Sequence, residues 1–405
     1  MPGKEDTIHD FSLIDGPLYR LGLRLGLVVK KTNTIRIGLV LSVVTWSVLV
    51  ILAGLEGLTA KLFSLQFIAV HIRLIVVIPL FFLTETLVTP QMDQFVGNIA
   101  SSGLVSDEER PLFASLVRRI RRLGDIWMIE LLFLLAVFTI TMFISNGLLI
   151  GSTSNVLFIG RSVSFLEMIN SRTNGDIPWT VYWYFVFCLP LFRFLLVRCI
   201  WQIMLWSYFL WRLQKLNLRL NAVHPDETAG LGYLEVVHEH FIPLVIALSA
   251  ILSASLAEDI VSQRIPFNAI YSVIPFALIP SALLFILPLF MFTPKLSSCR
   301  NNALSEYMKW SSRHVTAFHF KWGEQNESDE SLLGTADLHS FAALNNSINN
   351  IRGMRCIPAS KRLLMGMVVS TILPLLPLLF LKYNFYELVL QITTMLFGLR
   401  KFGFK

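Results

Sequence analysis

Long runs of apolar residues alternate with polar segments along most of this chain. A helix that crosses the hydrocarbon core of a bilayer needs about 20 mostly apolar residues. Seven segments meet that length, at 36–55, 66–88, 126–148, 179–205, 240–257, 269–293 and 363–381. Because helices satisfy their own backbone groups in lipid, the pattern predicts an all-α polytopic membrane protein with about seven transmembrane helices.

The last apolar run, ELVLQITTMLFGL at 387–399, leaves the number of spans open. It is too short to cross a bilayer comfortably and is typical of an interfacial or re-entrant helix. If it does cross, the count is eight and the basic C-terminus RKFGFK returns to the cytoplasm.

The polar segments divide the chain into four parts. We expect a cytoplasmic amphipathic N-terminal segment at 1–34, since DGPLYRLGLRLGLVVKK alternates apolar and basic residues as a helix on the inner leaflet would; a plain cytoplasmic arm fits the same residues. A six-span transmembrane region at 35–293 contains a helical loop at 89–125 and a turn at 221–238. A cytoplasmic helical segment at 294–362 and a final part at 363–405, with the last span and the C-terminal helix, complete the prediction. The soluble parts together predict a small helical cytoplasmic layer.

Composition agrees with the membrane class. Of the 405 residues, 54% are hydrophobic and 15% are charged, whereas soluble domains carry about 25% charged residues. The mean hydropathy is +0.63. The polar N-terminus and the absence of a small-residue cleavage site after the first apolar run predict that this run is an anchor and not a signal peptide.

The basic residues predict the orientation. Lys and Arg concentrate in the N-terminal segment, in the 89–125 loop, after the fourth span and in the 294–362 segment. The alternate loops contain only Lys61, Arg161, Arg172 and Arg264. Cytoplasmic loops are the ones enriched in basic residues, so we expect a cytoplasmic N-terminus. Lipid headgroups then account for the net charge of +7, and no nucleic-acid partner is expected.

Aromatic residues mark both ends of the fourth span. Trp183 and Tyr184 stand at one end and Trp206 at the other, a separation of roughly 35 Å at about 1.5 Å per residue. That distance matches the bilayer core with its interfaces, where aromatic belts lie. The helix is expected to project into the cytoplasm as far as about Leu220.

Ionisable residues inside the predicted spans are the first candidate functional group, because charges at membrane depth are rare and usually functional or paired. Arg193 lies roughly 15 Å of helix beyond Trp183 and hence near the midplane. The candidate polar path consists of Arg73, Arg193, Arg198, Glu130 and His71.

An alternative interpretation gives these arginines a purely structural role. Each would pair with a buried carboxylate or carbonyl, or extend its charged end toward an interface. Depth alone makes Arg198 with Glu130 one candidate pair and Arg73 with Glu258 another. Both interpretations remain open at the level of sequence.

The polar stretch NAVHPDETAGLGYLEVVHEH, at 221–240, is the second candidate site. Its candidate residues, as a cytoplasmic turn or gate, are His224, Pro225, Asp226, Gly230, Gly232, His238 and His240. A metal cluster and pH sensing by the histidines are alternatives. His238 and His240 would lie about 200° apart on a helix, which disfavours a shared metal ion, so we expect a structured turn and no metal site.

The pattern His-Pro-Asp-x-x-x-Gly-Leu-Gly at 224–232 resembles a family of uncharacterised bacterial polytopic inner-membrane proteins. The later segment SLLGTADLHSFAALNNSINNIRGMRCIPASKRLL and the proline-broken span TILPLLPLLFL strengthen the resemblance, which covers roughly 180–381. The resemblance implies a bacterial inner membrane and brings no established activity. Ala229 and Gly230 stand where a Gly-Gly pair is usual in that family.

These features favour transport over catalysis. The chain has no glycine-rich phosphate loop, no G-x-S-x-G and no H-E-x-x-H, so we expect neither an enzyme nor a cofactor. The arginines and the proline-rich sixth and seventh spans favour a homo-oligomeric channel or transporter-like protein with an arginine-lined, anion-preferring path. The alternative is a membrane scaffold or sensor that recruits a cytoplasmic protein partner through its helical loops, without flux.

Overall fold

The computed structural model describes residues 34–149, 178–324 and 336–381. These ranges contain no β-strand, and their one isolated antiparallel bridge joins Val105 to Leu218. The chain is therefore all-α in its described part, as the apolar pattern predicted. In chain order the main helices are α1 (Ile35–Leu55), α2 (Leu65–Ser101), α3 (Arg110–Gly124), α4 (Trp127–Leu149), α5 (Trp179–Leu213), α6 (Tyr233–Val261), α7 (Ile270–Phe285), α8 (Thr293–His319), α9 (Ala336–Gly353) and α10 (Lys361–Leu381).

Several of these helices are composite. In α2 a π-helical segment, Ile72–Val77, separates Ile68–His71 from the long stretch Ile78–Ser101. In α5 a second π-helical segment, Tyr184–Cys188, precedes Leu189–Leu213. A break separates Tyr233–Glu239 from Ile242–Val261 in α6, and α10 ends as a 3-10 helix, Leu373–Leu381. A third π-helical segment, Phe320–Glu324, extends α8, and three short helices lie between the main ones: Thr59–Leu62, Phe267–Ala269 and Leu287–Phe290.

The helices agree with a multi-pass membrane protein. By length and composition, α1, α2, α5, α6 and α10 can each cross a bilayer, which makes 5 candidates among the described residues. Two bent pairs, α3 with α4 at 40° and α7 with Leu287–Trp322 at 44°, raise the number to 7 if each pair is one span. All seven predicted segments coincide with these helices.

Helix α2 is longer than the predicted span 66–88, because its packing continues beyond the apolar run. Met92, Phe95, Val96 and Ile99 recur at the spacing of one helix face and are all buried. The ring of Phe95 meets the edge of Trp206 on α5, with 5.7 Å between ring centroids. The first part of the predicted 89–125 loop is therefore a continuation of the second span.

Helix α5, in contrast, is shorter than predicted. We expected it to reach about Leu220, but it ends at Leu213. Tertiary hydrogen bonds compete for the backbone beyond that point: Leu218 pairs with Val105, and the backbone N–H of Arg219 donates to the carbonyl of Leu104 at 2.7 Å. The segment after α5 is therefore attached to the loop between α2 and α3.

The core lies where α2, α5 and α6 meet. Phe81 of α2 stacks on Phe192 of α5 with a centroid distance of 6.2 Å, and Ser249 of α6 donates a hydrogen bond to the carbonyl of Thr371 on α10. Helix α1 approaches α2 so closely at Gly38 that an added Cβ would lie 2.7 Å from atoms of Phe82.

Helices α8 and α9 pack on each other and have little buried surface. Leu296 is the one buried residue of α8, and the ring of Phe318 stacks on that of Phe341 in α9 at 5.6 Å. This pair, which we call the α8–α9 hairpin, corresponds to the cytoplasmic helical segment predicted at 294–362.

Some predictions fall on residues that the structure does not describe. The amphipathic stretch at 15–31, the loop with Arg161 and Arg172, and the short apolar run at 387–399 all lie outside the described ranges. The choice between seven and eight spans therefore stays a prediction.

Candidate functional site

Arg73 connects three helices at the point where the π-helical segments of two of them meet. It lies in the π-helical segment of α2, and its Nη1 donates to the hydroxyl of Tyr184, in the π-helical segment of α5, at 2.9 Å. Its Nη2 donates to Ser255 of α6 at 3.1 Å. Arg73 is only 1% exposed. Single π-helical turns inside α-helices occur frequently at functional sites, and here two of them meet through one hydrogen bond.

Tyr184 was expected in the aromatic belt at the end of the fourth span. The structure instead buries it to 1% exposure beneath Arg73. The sequence placed four aromatic residues within 179–184, and only their packing tells which of them faces inward. Its neighbour Trp179, at 72% exposure, keeps the surface position that the belt predicted.

His71 belongs to a separate contact at the α1–α2 connection. The indole N–H of Trp46 donates to His71 Nδ1 at 3.0 Å, and Nε2 lies 2.9 Å from the carbonyl of Leu62. Because the indole can only donate and the carbonyl can only accept, the ring carries its proton on Nε2. The ring also stacks on Phe63 with a centroid distance of 5.2 Å. His71 therefore holds the loop before α2 against α1.

Arg193 is the arginine of the path with the fewest contacts. Its Nη1 donates to the hydroxyl of Thr141 on α4 at 3.0 Å. Its Nε is buried and makes no hydrogen bond with any described residue. No carboxylate of the described residues lies within ion-pair distance of this guanidinium, although Arg193 itself is half-buried. Its charge is thus solvated by one hydroxyl alone within the described part of the chain.

Arg198, five residues further along α5, has the opposite environment. Its Nη1 and Nη2 donate to the two oxygens of Glu85 on α2 at 3.0 and 2.6 Å, and its Nε donates to Glu130 on α4 at 3.1 Å. All three side chains are buried. The predicted contact between Arg198 and Glu130 is therefore present, and Glu85 adds a stronger, two-pronged one. We call these three residues the buried triad.

A small cavity adjoins the buried triad. It has a volume of about 20 Å³ and is lined by Glu85, Thr84, Thr89, Cys199 and Gln202 together with apolar side chains. A cavity of this size holds about one water molecule.

The candidate turn is organised by Asp226. Its carboxylate accepts hydrogen bonds from the backbone N–H groups of Thr228 at 2.9 Å, Gly230 at 3.0 Å and Gly232 at 2.7 Å. His224 Nδ1 lies 2.8 Å from the same carboxylate. Burial raises the pKa of Asp226, but the hydrogen bonds from the three backbone N–H groups and from His224 outweigh it and lower the pKa below its usual range.

The two glycines of the motif are required by this geometry. Gly230 has a φ of 96°, which favours glycine, and an added Cβ at Gly232 would lie 2.9 Å from the Asp226 carboxylate. Ala229 also lies in the left-handed region, with a φ of 58°, a backbone conformation that glycine adopts more easily than alanine. The chain enters this turn at His224 and Pro225, before α6 begins at Tyr233.

His238 and His240 point their rings back along their own helix. Their Nδ1 atoms contact the carbonyls of Leu234 and Val236 at 2.9 and 2.7 Å respectively. Within the described ranges, no group of three or more His, Cys, Asp or Glu side chains has an arrangement that could hold a metal ion. The arrangement is that of a structured turn followed by a helix.

Two residues that were not among the predicted site residues connect these sites to the rest of the fold. Glu85 was visible as a carboxylate near the inner end of the second span, but nothing in a single sequence pairs it with Arg198. Arg355, before α10, donates to Glu235 at 2.9 Å and lies 3.3 Å from Glu227. Its backbone N–H also donates to the carbonyl of Glu227 at 2.7 Å. Arg355 thereby fixes the turn against the segment that leads into α10.

Taken together, the membrane-embedded residues form a discontinuous line of polar groups, which we call the polar column: Arg73, Tyr184, Arg193, Arg198, Glu85 and Glu130. It combines one arginine that donates to two hydroxyls, one with a single hydroxyl contact and one that is ion-paired with two carboxylates. Such a set can attract anions where the guanidinium charge is uncompensated, whereas at the buried triad the guanidinium is ion-paired. No family model, curated protein or solved structure matches the chain.

Proposed function

We propose that this integral membrane protein is a channel or transporter-like protein whose polar column forms an anion-preferring path. The observation that carries the proposal is the contrast between Arg193 and Arg198. Two carboxylates offset the charge of Arg198, whereas Arg193 has one hydroxyl contact and no acidic partner among the described residues.

The energetics of burial explain why this contrast matters. An arginine at the centre of a membrane helix costs about 2.5–3.5 kcal/mol on insertion scales. Two carboxylates contact the guanidinium of Arg198, whereas a single hydroxyl contacts that of Arg193. Water or a transient anion beside Arg193 would supply the missing compensation. Positive charges that line a pore favour anions over cations.

The buried triad is the constriction of this path. Arg198 bridges α2, α4 and α5 through its contacts with Glu85 and Glu130, and the adjoining cavity holds about one water molecule. We infer that a solute passes only when these contacts separate. The described conformation then corresponds to a closed state.

The cellular setting follows from the distribution of charge. We propose a bacterial inner membrane and a cytoplasmic N-terminus, because basic residues concentrate in alternate polar segments of the chain and the His-Pro-Asp motif resembles an inner-membrane family. The homo-oligomeric assembly that the sequence analysis expects stays a prediction. The absence of enzymatic activity and of a cofactor likewise stays a prediction.

Anion flux into proteoliposomes tests the proposal. The full-length protein should conduct small anions, Arg193→Ala should reduce the flux at least tenfold, and Arg193→Lys should retain part of it because the positive charge remains. The matched control is Arg362→Ala, which removes an arginine whose side chain is 84% exposed and lies outside the polar column. The absence of flux in the parent protein, or equal flux in Arg193→Ala, would overturn the proposal.

A second candidate function is a scaffold that recruits a cytoplasmic partner through the α8–α9 hairpin. It is favoured by the large apolar side chains that α8 and its extension leave exposed: Met308 at 44%, Trp310 at 46%, Val315 at 44% and Phe320 at 59%. In a helix with one buried residue, such side chains are candidates for a protein contact.

A photo-crosslinking amino acid at position 310 tests this second function in cells. A scaffold should give one discrete protein adduct at that position, and the same probe at Leu283, an exposed position of α7, should give none. Deletion of 324–350 separates the two functions further. It should leave anion flux intact if the polar column conducts, and it should remove the adduct if the hairpin recruits a partner.

A further inference from the structure

A group of exposed cations surrounds the end of α5 where it meets α3. The apolar residues of α3 follow the spacing of one helix face, since Phe113, Leu116, Val117 and Ile120 are all buried. Phe113 packs against Phe209 of α5 with a centroid distance of 6.5 Å. The opposite face of α3 consequently presents its arginines to the surface. We call the following exposed residues the basic patch: Arg118, Arg119, Arg122, Arg212 and Lys215.

Aromatic rings of α5 lie directly beneath two of these cations. The guanidinium of Arg119 is 5.9 Å from the ring centre of Tyr208, and Nζ of Lys215 is 3.5 Å from that of Trp211. Aromatic side chains of this kind concentrate at the level of lipid headgroups, and cation–π contacts hold the charged groups there. The patch therefore lies at the boundary between the membrane and the adjacent solution.

The basic patch has no acidic counterpart within the described ranges. Two of the nearby acids have other partners: Asp107 pairs with Arg110 at 3.2 Å, and Glu109 accepts the backbone N–H of Asn217 at 2.5 Å. On the inward side of the helix, Arg121 pairs with Asp125 at 4.0 Å. No described carboxylate forms an ion pair with any of the five cations of the patch. Five uncompensated charges in one small area must attract anions from their surroundings.

We propose that the basic patch binds the phosphate of anionic phospholipid headgroups in the leaflet that it faces. Arginine guanidinium groups present pairs of N–H donors that match phosphate oxygens, and juxtamembrane clusters of four or more basic residues recognise anionic lipids. This binding goes beyond the proposed transport function, because it requires neither flux nor an open path.

Lipid retention by the purified full-length protein tests the proposal. In native mass spectrometry, the protein should retain phosphatidylglycerol in preference to phosphatidylcholine. The triple substitution Arg118→Ala, Arg119→Ala and Arg122→Ala should weaken that retention on the order of 100-fold, since each basic residue near a membrane surface contributes roughly fivefold. Raising the salt concentration should weaken retention in the parent protein as well.

A control with the same loss of charge separates a local site from general attraction. Lys309→Ala, Arg313→Ala and Lys361→Ala remove three exposed cations outside the patch and should leave retention unchanged. Equal loss in both triple variants would overturn the proposal. A competition experiment with inorganic phosphate distinguishes the two sources of phosphate. If inorganic phosphate displaces phosphatidylglycerol at equal concentration, the site binds free phosphate and the assignment to lipid is wrong.

A conservative variant keeps the proposal testable if the triple alanine variant does not fold. The corresponding triple lysine substitution keeps the charges and should retain most of the phosphatidylglycerol. Lys215→Ala alone should lower retention roughly fivefold. Retention that is unaffected by Lys215→Ala and by the alanine triple would contradict the proposal.

Discussion

Arg198 and Glu85 are joined by two hydrogen bonds, of 3.0 and 2.6 Å, between the centres of α5 and α2. Both side chains are buried, and the remaining Nε donor of Arg198 reaches Glu130 on α4. This one guanidinium therefore determines how three helices are positioned at one depth. Its two-pronged geometry fixes both the distance and the rotation between α2 and α5.

Removing Arg198 should therefore destabilise the fold strongly. Arg198→Ala leaves two buried carboxylates without a cation, and breaking a buried ion pair in this way costs about 3–5 kcal/mol. The measurement is thermal unfolding of the purified protein in detergent, with Arg362→Ala as a control that should leave the midpoint unchanged. Replacing Arg198, Glu85 and Glu130 together by Met, Leu and Leu should recover much of the loss, because no unpaired charge then remains. A midpoint unaffected by Arg198→Ala would show that the triad contributes nothing to stability.

The turn at Asp226 should make stability depend on acid pH. The lowered pKa of Asp226 in the folded protein means that its contribution is fully present above the ordinary Asp pKa of about 3.9 and is lost as the pH falls through the lowered value. Glu227, Glu235, Arg355 and His224 are the charged or titratable groups around it.

The measurement for this prediction compares the unfolding midpoints of the parent protein and Asp226→Asn between about pH 2 and pH 7. The variant should be less stable at neutral pH, and the difference should shrink as the pH decreases below about 4. A constant difference across the range would contradict the role of the carboxylate charge.

Two glycine substitutions should have opposite effects. Gly232→Ala places a Cβ 2.9 Å from the Asp226 carboxylate, and overpacking of this kind costs about 1–3 kcal/mol. Gly97→Ala lies within α2 with no heavy atom inside 4 Å of the added Cβ, so it should stabilise the protein by about 0.5–1 kcal/mol. Unfolding midpoints of the two variants provide the measurement, and a stable Gly232→Ala protein would show that the turn adjusts to the extra methyl group.

Cysteine labelling tests the proposed orientation. The four cysteines are unpaired, Cys188 and Cys199 are buried, and Cys299 and Cys356 are half-buried. In a variant that keeps only Cys356, a membrane-impermeant maleimide should label inside-out vesicles and spare intact cells, because 294–362 is proposed to be cytoplasmic. Asn268→Cys in a chain without other cysteines is the matched control. It is exposed between α6 and α7 and should show the opposite pattern. Labelling of Cys356 in intact cells would reverse the topology.

The sequence predicted the helices well because span length depends on local composition. The apolar runs needed no knowledge of their neighbours, and each of the seven coincides with an observed helix or bent pair. The end of α5 was predicted wrongly because Leu218 and Arg219 are held by a tertiary contact with the α2–α3 loop. The residues around the end of α5 in the sequence do not include the α2–α3 loop that makes this contact.

The candidate sites also differ in whether they depend on local sequence or on tertiary contacts. The spacing of Asp226, Gly230 and Gly232 is local, so their prediction as a turn agrees with the observed hydrogen bonds. The partners of Arg198 are separated from it by 113 and 68 residues. The predicted depth of Arg198 in the membrane made Glu130 a candidate partner. Which carboxylate the guanidinium contacts also depends on the rotation of each helix about its own axis, and only the packing of the helices determines that rotation. The burial of Tyr184 could not be predicted from the sequence, because it too depends on the rotation of α5 against its neighbours.

The two π-helical segments that meet through Arg73 and Tyr184 also affect which changes in chain length the protein can accept. A π-helical turn accommodates one residue more than the α-helix into which it is inserted, and a single deletion elsewhere in α2 would rotate all later side chains by about 100°. A deletion inside Ile72–Val77 instead converts the segment to regular α-helix and leaves Glu85 facing Arg198. These two segments are therefore the places where the long spans can lose a residue over evolutionary time while the helices beyond them stay in register.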